Sequence, residues 1–206
     1  MKPLFKLLCI CIAFLGATAV GNAATLLTFD GLSAGGPLDI YPPVVPNGYG
    51  GLNWANFAVE NGLEFGATPG DGYYYGVVSS PNVAFNDYGN PASIAVSSGL
   101  FDLDSAYLTS ALNSVPTLSI QVQGFVGATM LYNNTYTVIN SGPTLINFDY
   151  VGVDRVKFIA GGGSASWFVM DNLTVTAPEP STYALMSIAM VLVGFSVRRR
   201  KIKSGD

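Results

Sequence analysis

The middle of this 206-residue chain predicts an all-β fold, an antiparallel β-sandwich, on three observations. Between Thr25 and Thr176 the residues Gly, Ser, Thr, Asn, Tyr and Val dominate. No apolar run there keeps a helical period. Short stretches rich in β-branched and aromatic residues alternate with turn clusters instead. About a dozen strands in one domain require two packed sheets rather than one. A signal helix is expected before the sandwich (residues 1–23) and a membrane helix after it.

In chain order the expected strands begin with Thr25–Phe29, Asn56–Val59, Leu63–Ala67 and Tyr73–Val78. They continue with Val83–Asn86, Ala92–Val96, Ala106–Leu112 and Thr117–Gly124, and end with Thr129–Ile139, Thr144–Asp149, Val153–Ala160 and Trp167–Thr176. One hairpin can be read in detail. A three-residue loop Glu60-Asn61-Gly62, with Gly62 left-handed, sets Val59 against Leu63 and Phe57 against Phe65 on the core side. It leaves Glu60 at the tip and Glu64 outward, so these two are not a catalytic pair.

The two ends read differently. Lys2 and Lys6 precede an apolar run, Leu7–Leu15, and then small residues through Ala24. This is a secretory signal peptide with cleavage after Ala23. The run is too short to cross a hydrocarbon core that needs about 20 helical residues. Cys9 and Cys11 both lie in it, so the mature chain carries no thiol and no disulfide. At the other end stand Pro178-Glu179-Pro180, an apolar stretch Tyr183–Val197, and Arg198-Arg199-Arg200-Lys201. At about 1.5 Å per residue the stretch spans roughly 22 Å, enough for a short membrane helix with snorkelling flanks. The basic cluster fixes that end in the cytoplasm, and the domain therefore faces outward. Pro180 holds Glu179 away from the α region, keeping the segment extended where a protease can grip it.

These three elements in this order resemble the PEP-CTERM sorting signal. The resemblance implies an exosortase-type membrane enzyme that cuts near Pro178–Pro180 and releases or transfers the domain. It further implies a transient single-span membrane anchor, residues 178–203 as the sorting segment, and a mature form at the cell surface or outside it, alongside exopolysaccharide. Within 24–177, Gly48–Phe57, Val153–Phe158 and Phe168–Val175 resemble the jelly-roll-type sandwiches of PEP-CTERM passengers. The closing Val169-Met170-Asp171-Asn172-Leu173 phrase is also similar to the last strands of carbohydrate-binding modules.

Composition narrows the chemistry. The chain has no histidine, which removes His-based acid–base and nucleophile pairs and ordinary zinc sites. Between Thr25 and Ala177 eleven acids face two bases, Arg155 and Lys157, giving a net charge of −9 and excluding a nucleic-acid surface. Asp102 and Asp104 share a strand face and read as a solvated edge. Calcium takes six to eight oxygens. Asp30 ends the first strand and Asp171 lies in the last, and the resemblance to calcium-stapled carbohydrate-binding modules makes this pair the candidate structural calcium site. Asp171 and Asn172 could equally satisfy loop amides. Tyr73-Tyr74-Tyr75 must expose a ring able to stack on sugar, while Trp54 and Trp167 are expected in the core. Two functions follow: a non-enzymatic surface or matrix protein that is structural or binds exopolysaccharide, or a glycan-active enzyme using paired carboxylates. A cleft with two close carboxylates would favour the second.

Overall fold

The computed structural model describes residues 23–36, 41–65, 71–161 and 166–177. Residues Ala24–Ala177 form one compact unit whose hydrophobic core closes on its own side chains. The expected signal helix, the sorting triplet Pro178-Glu179-Pro180, the membrane stretch and the basic run Arg198–Lys201 lie outside the described residues. Among the described residues no helix is long and apolar enough to cross a membrane.

Eleven strands are described: β1 (Ala23–Leu27), β2 (Asn53–Ala55), β3 (Phe57–Asn61), β4 (Asn82–Asn86), β5 (Ala92–Ala95), β6 (Phe101–Ser110), β7 (Thr117–Val126), β8 (Thr129–Ile139), β9 (Thr144–Val153), β10 (Arg155–Gly161) and β11 (Phe168–Ala177). They form a six-stranded sheet in the order β3-β4-β11-β6-β9, with β1 also on β11, and a five-stranded sheet in the order β2-β5-β10-β7-β8. From β4 onward the chain alternates between the sheets except at the β7–β8 hairpin. The order β4-β11-β6-β9 facing β5-β10-β7-β8 is that of a jelly roll.

Period-two burial explains why the later strands form. In β7 Leu118, Ile120, Val122 and Gly124 are buried, and the residues between them face outward. β10 buries Val156 and Phe158 in the same way. In β6 the inward set shifts from Phe101 and Leu103 to Ala106 and Leu108, where the pairing with β9 changes register. Such a bulge re-phases a strand without ending it. The two inner faces meet over an aromatic chain. Trp54 packs edge-on against Phe29 and Phe57, Phe57 against Phe158 and Phe168, and Phe158 against Phe148. The Trp54 indole N–H donates to the Tyr49 carbonyl at 2.9 Å, which satisfies its one polar atom inside the core.

Two expected strands are not strands. Gly62–Phe65 and Gly72–Tyr75 are single helical turns, and the hairpin expected across Glu60-Asn61-Gly62 does not form. The Asn61 side-chain oxygen accepts the Leu63 and Glu64 N–H groups at 3.1 and 3.3 Å, so Asn61 caps a helix instead of turning a hairpin. Asp71 caps the second turn through the Tyr73 N–H at 2.8 Å. β3 pairs with β4, and Glu60 lies opposite Val83 rather than at a loop tip. Asp102 and Asp104 share an outer face as expected, yet β6 is an internal strand, not an edge.

Candidate functional site

The segment with the two helical turns covers the outer face of the six-stranded sheet near β3, β4 and β11. There Ala58, Val83, Phe85 and Val169 pack with Tyr73 and Ala111 in a second, smaller core. This covering explains why Phe57, Ala58, Val59 and Glu60 are all buried and show no alternation. The fit is tight at Gly72: a Cβ there would stand 1.8 Å from the Ser110 carbonyl oxygen, and the Gly72 N–H donates to the Ala111 carbonyl at 2.9 Å. Gly72 lets the turn approach the end of β6 closely enough to bury Tyr73.

A cavity of about 380 Å³ opens beside this second core. Its walls bring together Glu60, Phe65, Tyr73, Asp87, Tyr88 and Trp167. Glu60 projects from β3 and is 1 % exposed. Gly35 lies against it, since a Cβ there would stand 2.7 Å from a Glu60 carboxylate oxygen. Asp87 and Tyr88 sit in the 3₁₀ turn Asp87–Gly89 after β4, and Tyr88 is 60 % exposed at a φ of 52°. A bulky residue held left-handed with its ring in solvent is a strained arrangement of the kind found at binding sites.

One side chain positions both walls. The buried Asn86 amide donates to the Ser166 carbonyl at 2.8 Å and the Asn90 carbonyl at 3.1 Å, and its oxygen accepts the Phe168 N–H at 2.7 Å. Asn86 thus ties the Asp87–Gly89 turn to the residues on either side of Trp167. Electrostatically the site is acidic. Burial raises the Asp87 and Asp71 carboxyls above their ordinary range. Burial first, and then the charges of Asp71, Glu60 and Asp87, drive the Tyr73 phenol far upward, so it stays a neutral O–H. The arrangement offers aromatic surface, acceptor oxygens and two phenolic hydroxyls, those of Tyr73 and Tyr88.

The residues singled out from sequence fall elsewhere. Trp54 is in the core, but Trp167 is half-buried and lines the cavity. Of the three consecutive tyrosines, Tyr73 is buried and Tyr74 is 44 % exposed. Asp171, wholly buried at a register shift of β11, accepts the Val78 N–H at 2.7 Å, the Ser79 N–H at 2.8 Å, the Ser79 hydroxyl at 3.1 Å and the Asn172 N–H at 2.7 Å. Burial pushes its carboxyl up to about 6 against the pull of these bonds. Asp30 accepts the Asn82 N–H at 3.1 Å, while the Asn82 amide donates to the Phe29 and Leu32 carbonyls. Both aspartates therefore latch loops onto strands. Among the described residues no group of three or more His, Cys, Asp or Glu side chains is placed to hold a metal ion. Glu60, Asp87 and Tyr88 were not expected as site residues.

No curated protein matches the chain. Solved structures with a similar arrangement include the carbohydrate-binding module TmCBM61 in complex with β-1,4-galactotriose, at 10% identity and a TM-score of 0.32, covering 65% of this chain and 95% of that one. Another is the CBM22-1–GH10 pair of the Clostridium thermocellum endo-1,4-β-D-xylanase 10B with xylohexaose, at 17% identity and a TM-score of 0.27. It covers 50% of this chain, which spans 20% of its length. The C-terminal segment gives a direct assignment. Residues 176–201 match the PEP-CTERM protein-sorting motif, so the chain is an exported protein whose precursor is handled by an exosortase-type enzyme.

Proposed function

We propose that the chain is a cell-surface or matrix protein that holds a glycan, such as a segment of exopolysaccharide, in the cavity between Glu60 and Trp167. The carrying observation is the cavity's composition. A pyranose ring has an apolar C–H face that lies on an aromatic plane, and hydroxyls that need acceptors. Trp167 and Tyr88 offer the planes, and Glu60 and Asp87 offer the acceptors. Concave, mostly apolar sites with a few fixed polar groups are the usual form of small-ligand pockets. The export motif supports this reading, since an exported domain meets extracellular glycans.

A second reading rests on one specific observation: two carboxylates, Glu60 and Asp87, line the same cavity. A raised acid beside a second carboxylate is the equipment of a glycoside hydrolase. One experiment separates the two. Residues 24–177 are run on affinity gels containing exopolysaccharide, and the same mixtures are assayed for new reducing ends. Retardation that is lost in Trp167→Ala and Tyr88→Ala, without reducing ends, supports binding. Reducing ends that vanish in Glu60→Gln support the enzyme. Retardation unchanged in both aromatic variants refutes the cavity as the glycan site.

A further inference from the structure

The two sheets of the sandwich differ in charge. The strands of the six-stranded sheet carry Glu60, Asp102, Asp104, Asp149 and Asp171 and no base. The strands of the five-stranded sheet carry Arg155 and Lys157 and no acid. These two are the whole basic complement between Thr25 and Ala177. Alternation in β10 buries Val156 and Phe158 and turns both cations to the outer face, about 7 Å apart along the strand.

The face is built around them. The Arg155 guanidinium lies 4.7 Å from the centre of the Phe125 ring, and one N–H reaches the Gly127 carbonyl at 3.5 Å. A stacked guanidinium is pre-organised, because less side-chain freedom remains to be lost on binding. Lys157 stands in register with Ser93 on one side and Gln123 on the other, and Gln123 with Asn133. That row of polar side chains crosses four strands at about 4.8 Å per step. In the next row Gln121 donates to the Asn133 oxygen at 2.9 Å, tying the rows together. The nearest acid in sequence, Asp154, accepts the Gly127 N–H.

We infer that this outer face binds an anionic polysaccharide, a polymer with uronate or comparable carboxylates along an extended chain. Arginine's planar fork takes a carboxylate through two parallel bonds, and lysine adds a point charge beside it. The amide and hydroxyl rows match the polymer's hydroxyls. On the opposite sheet Glu60 and Asp171 are buried, and the outward-facing Asp102, Asp104 and Asp149 repel the same polymer, which favours the side that carries Arg155 and Lys157. Two cations are too few for the counterion release that drives nucleic-acid binding. The row from Ser93 to Asn133 holds no apolar side chain to enter a lipid surface. This site differs from the cavity in place and in chemistry, and it stands whether or not the cavity binds sugar.

The test uses residues 24–177 on affinity gels cast with polygalacturonate or with neutral dextran, with folding checked by thermal melting. Polygalacturonate is expected to retard the protein, dextran is not, and added salt is expected to abolish the effect. Arg155→Glu with Lys157→Glu should weaken retardation roughly tenfold or more. Should the double reversal melt early, Arg155→Gln and Lys157→Gln singly are expected to weaken binding in a folded protein. Retardation that survives these changes overturns the inference. So does the absence of retardation, or charge-dependent capture by phosphatidylglycerol vesicles in its place.

Discussion

Replacing Asn86 by Ala tests the fold and the site together. The side chain is fully buried and makes three bonds. The Asn90 carbonyl lies at an exposed residue and can be rehydrated. The Phe168 N–H and the Ser166 carbonyl sit on residues that are 0% and 3% exposed, and truncation removes the Asn86 bond from each. A buried polar group that loses such a bond costs about 1–3 kcal/mol, which sets the loss at roughly 3–5 kcal/mol once the small void is added. For a unit of this length each kcal/mol lowers Tm by about 2–4 °C, so a fall of roughly 6–20 °C is expected. The half-buried Asn53, whose amide bonds the Ser97 hydroxyl at a solvent-exposed position, is the control: Asn53→Ala should change stability by less than about 0.5 kcal/mol. Calorimetry and denaturant titration of residues 24–177 measure both, and tryptophan emission reports on Trp167 between the two released groups. A loss below about 1 kcal/mol for Asn86→Ala would refute the reasoning, since it would mean that water replaces both bonds.

Other expectations follow from the same geometry. Gly72→Ala forces the helical turn off the Ser110 carbonyl, so it should lower Tm by several degrees and expose the Tyr73 ring to quenchers; an unchanged melt argues against the close approach. The Asp171 carboxyl sits at about 6 when folded, above its ordinary value, so the native state binds the extra proton between about pH 4 and 6. Stability should fall as pH rises through that window, and Asp171→Asn should flatten this part of the profile; parallel profiles would remove Asp171 as the cause. Calcium at Asp30 and Asp171 is tested by melting residues 24–177 with millimolar calcium and with chelator. A bound ion would raise Tm and Asp171→Asn would abolish the rise, whereas indifference leaves Asp171 with its four hydrogen-bond donors as a loop latch. Processing predicts that the native exported protein ends near Pro178–Pro180. An intact mass that still includes Lys201 would refute this.

Most strands from β4 onward were legible because each keeps one face on the core and one away from it, or is buried as a short β-branched and aromatic run; β6 was legible only from Ala106, because its inward set changes phase at the bulge before that residue. The Glu60–Val78 region was not, for a physical reason. β3 is covered on both faces, so Glu60 shows no outward signature, and Asn61-Gly62 serves a helix cap as readily as a hairpin. The sorting tail was legible because its three elements are consecutive in sequence. The cavity was not, since Glu60, Asp87 and Trp167 come from three separate segments and meet only through the β3–β4–β11 pairing and the Asn86 bonds. Asp171 reads either as a calcium ligand with Asp30 or as an acceptor for loop amides, and the structure shows it accepting loop N–H groups. Its partners, Val78 and Ser79, lie more than 90 residues away in a stretch read as strand.

The place of β11 also bears on timing. It is the last strand to be made, yet it lies between β4 and β6 in the six-stranded sheet, with β1 on it as well. Until Phe168–Ala177 has been delivered, β4 and β6 have no common neighbour and their facing edges stay open. The six-stranded sheet is therefore closed by the stretch of chain that leads into the segment beginning at residue 176. Pro178 comes directly after Ala177, the last residue of β11. The strand that joins β4 to β6 thus runs directly into the sorting motif, so an early stop in the chain before residue 168 would remove both together.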